Sequence, residues 1–312
     1  MSCQRTRGRR AGHADILRAR GRARGAGLLG IETLRAPTID HRARGLPESE
    51  PITSWRGVAE LVAEAGGVGP SVLPDWAGAA FRQLTDAIAD ELFPCLFARR
   101  ASYLQSGWFA FVDSVETEAG REAVRRAVLA YYSVLDRSPA ERTLLTPLVI
   151  VVKPCSPVLS LPEYRAQAWG LFQHLHDRDS EPWPAGVPAE PDRGDWSFCF
   201  GGRQLFSNVS APAHHVHRSR NLGDSLVFAM QPRTNFDRVG GNNKKGRAVR
   251  AEIRRRVERY EGRPAASHLG FYGTPENREW MQMTPMDTED EPDYPRACPF
   301  RFNARDKRDR EP

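Results

Sequence analysis

No run in this chain approaches the roughly 18–20 apolar residues that a membrane-spanning helix needs. The five cysteines, Cys3, Cys95, Cys155, Cys199 and Cys298, are widely spaced, odd in number and never in a CxxC pair. That spacing argues against a disulfide framework and for a reducing, cytoplasmic setting. The P-loop, GxSxG and HExxH patterns are missing, and with them the usual signatures of P-loop nucleotide binding, serine hydrolysis and zinc proteolysis. Internal repeats are absent. Most of the chain also lacks net charge. The excess of +6 lies entirely in residues 1–50, where 11 arginines stand against 5 acids, so the remaining 262 residues balance. A nucleic-acid binder of the duplex type carries a basic field on its folded body, and this body has none.

What is present begins with that Arg/Gly/Ala-rich leader. It reads as a disordered basic arm, a transit peptide or an over-extended start, and it lacks the apolar core of a secretory signal. Beyond it, 40% apolar content is enough to fill a sizeable core. The spacing predicts helices over 74–92, 117–135, 161–179 and 243–262, and strands over 107–114, 146–154 and 225–233. Pro94 reads as the stop of the first helix. Residues 195–202 and 203–210 read as a hairpin turning at Gly201-Gly202. The Pro-rich stretch 181–194 is a loop long enough to be a lid or wall. The expected fold is therefore α+β: a single domain over 55–275 with a mixed, mostly antiparallel sheet flanked by helices, a disordered leader over 1–54 and an irregular tail over 276–312.

The densest chemistry is APAHHVHRSR, residues 211–220, with three histidines and two arginines. In an extended loop His215 and His217 face the same way; in a helical turn His214 and His217 do. His174 and His176 form a second HxH pair, but on a helix residues two apart splay by about 200°, so they cannot share one ion. A site of four histidines on one zinc is thereby disfavoured. A solvated basic loop, a non-haem metal site and a single axial histidine on a haem remain open. Cys95, in FPCLF, is either an inert buried thiol or a thiolate ligand to iron. Arg218 and Arg220 suit bidentate clamping of carboxylates. The acids Asp113, Glu116, Glu118, Asp177 and Asp179 close elements or face solvent, unless a pocket gathers them around a guanidinium. The basic helix 243–262 reads as having one solvated face.

FPCLF (93–97), FAFVDS (109–114), AWGLFQHLHDRDSEPWP (168–184), WSFCFGGRQLF (196–206), APAHHVHRSRNLG (211–223) and LVFAMQPRTNFDRV (226–239) resemble, in order, the YqcI/YcgG family. The resemblance implies an enzyme of the kind found there: a haem-dependent monooxygenase that N-hydroxylates a guanidine or amine. It implies haem b with its iron, dioxygen, an external electron donor and a small cationic amine or guanidine substrate. On that reading His214 is the first candidate for the axial metal ligand and Cys95 the second. Arg218 and Arg220 become propionate or loop anchors, and Asp113 is a candidate to orient the substrate. Where many members carry His-Pro-x-Ser this chain reads Ala-Pro-Ala-His, which leaves the ligand's position open. A non-haem metalloenzyme and a haem carrier without turnover are the rival readings.

Overall fold

The run Leu148–Val152 is apolar at every position and buried at every position, as a strand must be when both its faces are covered. In the computed structural model it is β3 of a six-stranded sheet. The structure describes residues 51–64, 73–138, 146–264, 270–287 and 294–303, all within the compact unit Pro37–Pro312. Residues 1–50, and with them the expected disorder of the leader, lie outside the described residues.

The strands are β1 (Thr53–Ser54), β2 (Trp108–Val112), β3 (Leu148–Val152), β4 (Cys199–Phe200), β5 (Arg203–Ser210) and β6 (Val227–Pro232). The helices are α1 (Trp55–Glu64), α2 (Ala77–Ala89), α3 (Leu96–Leu104), α4 (Glu118–Asp136), α5 (Leu161–Asp177), α6 (Thr234–Gly240), α7 (Lys244–Glu261) and α8 (Glu279–Met283). The sheet order is β1-β2-β3-β6-β5-β4. β2 and β3 are parallel, joined through α4, and every other pair is antiparallel. This is the expected α+β architecture, a mixed and mostly antiparallel sheet flanked by helices. The expected hairpin is present: Gly201 and Gly202 sit at φ +60° and +68°, the left-handed pair that a two-residue turn between twisted strands requires.

Alternation along the strands sorts the core into two clusters. One face sends Ala110, Val112, Leu148, Ile150, Val152, Leu205, Val209, Phe228 and Met230 against α4, α5 and a C-terminal segment carrying Trp280, Met283, Met286 and Phe300. The other sends Phe109, Val149, Val151 and Val227 against Trp55 and Val58 of α1 and Phe81, Leu84 and Ile88 of α2. Helix starts are fixed locally. Thr117 accepts from the Gly120 amide at 3.1 Å to open α4, and Asn243 accepts from the Gly246 amide at 2.8 Å to open α7. At the head of α5, Glu163 accepts from the Ser160 amide at 2.8 Å.

Four local readings differ from the structure. α2 stops at Ala89, and the FPCLFARR stretch after it opens a new helix, α3, instead of merely ending the old one. Pro94 sits just outside that helix and Cys95 caps it. α6 follows β6 after a single intervening residue, where no helix is expected. The stretch after 276, irregular by composition, carries α8 and fills the core under α5: Trp169 donates its indole N–H to Thr284 Oγ1 at 2.9 Å. At the other end, Ile52 is buried and β1 pairs with β2, so ordered chain begins before residue 55.

Candidate functional site

On the second sheet face the strands β3, β6 and β5 are not fully covered by a packed helix. Their register aligns Val149 with Ala229 and Ala229 with Asn208, while Gln231 meets Phe206 and Val227 meets Ser210. These residues floor a cavity of about 380 Å³, within the range of small-molecule and cofactor pockets. The small side chain of Ala229 between two longer neighbours opens the space. Leu84 and Ile88 of α2, Phe97 and Ala98 of α3, Phe236 of α6 and Val249, Ile253 and Val257 of α7 enclose it. The 217–222 segment and residues 270–285 complete the wall.

Of the residues the sequence singles out, the cavity takes Cys95, His217 and Arg220. Cys95 is the N-cap of α3, its Sγ accepting from the Ala98 amide at 3.4 Å. Burial pushes its thiol up, while the Ala98 and Phe97 amides and the charges of Arg220 and Arg256 pull it down. Arg220 lines the same cavity. It donates to the Gln282 carbonyl at 2.9 Å, and burial pushes its guanidinium down to about 10.

His214 does not line the cavity. It is 3% exposed, and its Nδ1 lies 2.8 Å from Asp287 Oδ1. The same carboxylate accepts the backbone amides of His215, Val216 and His217 at 2.7, 3.0 and 3.1 Å. Burial alone would raise Asp287, but these four donors hold its carboxyl well below the usual range. Burial also pushes His214 down, against the pull of Asp287, so near neutrality the ring is uncharged and donates from Nδ1. His214 and Asp287 therefore act as the clasp of the 211–220 loop. The histidine this clasp presents to the cavity is His217, whose Nδ1 lies 3.0 Å from Glu261 Oε2. Ser219 donates to Glu261 Oε1 at 2.6 Å.

Arg218 is exposed and turned the other way, stacking on Tyr260 at 4.9 Å and donating to its carbonyl, which ties the loop to the end of α7. At the far side of the loop Gly223 takes φ +115°, and a Cβ there would meet Gln83 Cβ at 2.6 Å. Gln83 in turn donates to Asp224 at 2.6 Å, which locks the loop exit onto α2.

Asp113 lies apart. It follows the last paired residue of β2, is exposed and accepts the Trp76 indole N–H at 3.3 Å. It sits beyond the strand end, whereas the cavity lies over β3, β6 and β5. His174 and His176 lie on α5, on the opposite sheet face, packed with Trp183, Phe300 and Phe302 in the case of His176. The two HxH pairs thus never meet. Among the described residues no group of three or more His, Cys, Asp and Glu converges to hold a metal ion.

The carboxylates the cavity does take are Asp237, Glu261 and Glu279, with Arg233 beside Glu279. None has a local motif. Glu279 is 3% exposed and accepts from Ser197 Oγ at 2.5 Å. Burial raises it to about 7, against the opposing charge of Arg233. The unfolded chain therefore loses this proton near its ordinary value of 4.5, before the folded protein does. The contribution of neutral Glu279 to stability is fully present below that value and is lost as pH rises through 7. Thermal melts at pH 5 and pH 8 should show Glu279→Gln escaping part of the alkaline loss, by on the order of 2–3 kcal/mol. Parallel wild-type and variant melts would contradict the assignment.

A family model described as the YqcI/YcgG family matches residues 84–301. A Streptomyces lavendulae protein named "Putative N(omega)-hydroxy-L-arginine synthase DcsA" is 38% identical, covering 74% of this chain and 86% of that protein. Two Bacillus subtilis (strain 168) proteins, named "Uncharacterized protein YcgG" and "Uncharacterized protein YqcI", are 31% and 30% identical, with 90% and 89% of their lengths covered. No solved structure matches the chain. Among the described residues no helix is long and apolar enough to cross a membrane.

Proposed function

The chain belongs to the YqcI/YcgG family, and from that premise we propose that it is a haem-dependent N-hydroxylase acting on the guanidine group of an arginine-like substrate. The reaction inserts one oxygen atom of dioxygen into an N–H bond. The second atom leaves as water, with two electrons and two protons from an external donor. The name of the Streptomyces relative supports the substrate class. The single observation that carries the reading is the cavity itself: an apolar space over β3, β6 and β5 with a helix-capping cysteine and a deeply set arginine in its wall.

These residues fit the group the reading requires. Backbone N–H donors and the charges of Arg220 and Arg256 pull the Cys95 thiol toward thiolate, but burial outweighs them and holds it above its ordinary value, so binding of iron would have to draw off its proton. Phe93, Phe97, Phe206 and Leu222 offer apolar contact to a flat macrocycle, and Arg220 a cation to a propionate. Cys95 is therefore the residue that would hold the iron in this proposal, in place of His214, which the Asp287 clasp holds outside the cavity lining. Haem, bound there, supplies the redox chemistry of dioxygen. The chain's own part is to exclude water, through the walls of α2, α3 and α7, and to orient the guanidinium. Asp113 is not among the residues lining the cavity, and in this proposal Glu261, whose side chain is 1% exposed and held by His217 and Ser219, takes that task over. A carboxylate fixed by two donors cannot swing away, so its charge stays aimed at a cationic substrate.

The test is turnover. Protein produced with a haem precursor, given L-arginine, dioxygen and a reductant, should yield a product heavier by one oxygen atom on a guanidine nitrogen. A colourless protein with stoichiometric zinc or iron would replace the reading with a non-haem metalloenzyme. A haem spectrum with no oxygen consumption on any amine or guanidine would leave a haem carrier.

A further inference from the structure

The cavity is uneven along its length. At the Ser210–Val227 end of the strands stand Cys95 and apolar side chains; at the other end, six residues along β6 and so about 20 Å away in extended chain, stands Arg233. Around Arg233 the lining turns polar: Gln231, Tyr272, Asn277, Glu279 and Gln282.

Arg233 is 5% exposed, yet its donors are not spent. Its Nη2 donates to Asp237 at 2.8 Å, and its plane lies over the Tyr272 ring at 3.2 Å from the centroid. Its Nη1 stands 3.7 Å from Glu279 Oε2, too far for a hydrogen bond. Its Nε is buried with no hydrogen-bond partner. A buried guanidinium normally uses its fork of donors, because an unmet donor away from water is costly. Glu279 is equally enclosed and keeps Oε2 turned toward the arginine without closing on it. The Arg233 guanidinium and Glu279, which burial raises to about 7, thus stand close but loosely paired in the cavity wall.

We infer that Arg233 and Glu279 form the subsite for the head group of an α-amino acid, the α-carboxylate on the Arg233 fork and the α-ammonium on Glu279. This rests on the N-hydroxylase reading and deepens it. A substrate anchored by its head at this end points its guanidine along β6, into the apolar part of the cavity. A carboxylate of the cofactor is the other source of an anion for Arg233. Glu279 argues against it, since a propionate here would bring a second negative group against a buried carboxylate with no ammonium to separate them.

Isothermal titration of the haem-loaded wild-type protein with L-arginine, agmatine and L-argininamide reads the subsite without any variant. Agmatine lacks the carboxylate and argininamide carries it as a neutral amide. L-Arginine is expected to bind about 100-fold more tightly than either, because a site built for a charged group is left with unmet donors by an analogue that lacks it. Arg233→Lys, which keeps the charge but loses the fork, should reduce that preference about tenfold, and Glu279→Gln should weaken L-arginine more than a des-amino analogue. Equal binding of L-arginine and agmatine overturns the inference, whether or not either is hydroxylated. So does an Arg233→Lys protein that loses haem while keeping the preference for L-arginine, since that assigns the arginine to a propionate. Selective binding of L-α-amino acids without N-hydroxylation would leave the subsite standing and remove the proposed reaction.

Discussion

Cys95→Ala is expected to abolish both the haem absorption band and N-hydroxylation while leaving a folded protein. The thiol has two tasks. As the N-cap of α3 it accepts one amide, and sulfur is a weak acceptor, so alanine costs the helix only about 0.5–1 kcal/mol. As the axial ligand it has no substitute at that point of the wall, and activity should fall at least about 10³-fold, the scale of losing an element on which the chemistry depends. Cys95→Ser separates the tasks. Serine caps a helix better than cysteine does but gives iron no thiolate, so it should be as stable as wild type and as inactive as the alanine variant. Circular dichroism, the haem-to-protein absorbance ratio and product mass read the three quantities. His214→Ala is the counter-experiment: it should lower stability and keep the band. A band that survives Cys95→Ala and vanishes in His214→Ala would move the ligand back to the histidine.

Asp287→Ala should be the most destabilising single change in the loop. It strips the acceptor from His214 Nδ1 and from three successive backbone amides, all at 2.7–3.1 Å. Leaving buried donors unmet costs about 1–3 kcal/mol for a group, with charge assistance on top. A total of about 3 kcal/mol lowers Tm by about 6–12 °C in a domain of this size. Asp287→Asn keeps one acceptor oxygen and should fall between. Because the folded carboxyl is held below its ordinary value of 3.8, its contribution is full above that value and is lost as pH falls toward the depressed folded value. The gap between wild type and Asp287→Ala should therefore be wide at pH 7 and narrow at pH 3. An equal gap at both would mean that the clasp is not held by the carboxylate charge.

The elements that could be read from sequence were those whose signal is local. An unbroken apolar run marks β3, helical spacing marks α4 and α5, and paired glycines mark the β4–β5 turn. The site was legible only in part, for the same reason. Clustering drew attention to residues 211–220, but which histidine meets the cavity is decided by Asp287, 73 residues beyond His214 in a stretch that composition reads as irregular. Arg233 and Glu279 sit 46 positions apart and meet only because α8 lies beside β5. A weak signal for α8 existed in Trp280 and Met283, two large apolar residues three apart and both buried. Asp113 follows an aromatic strand directly, but sequence adjacency to β2 says nothing of which strands floor the cavity, and Asp113 is not among its lining residues. FPC read as a stop because proline ends helices, although just before a helix it equally precedes a start.

The most direct test is the absorption spectrum of the haem-loaded protein after reduction under carbon monoxide, since thiolate-ligated and imidazole-ligated ferrous haem give Soret bands at well-separated positions. Cys95 ligation predicts the long-wavelength thiolate band, unchanged in His214→Ala and absent in Cys95→Ser. An imidazole-type band in the wild-type protein that survives Cys95→Ser would contradict the account.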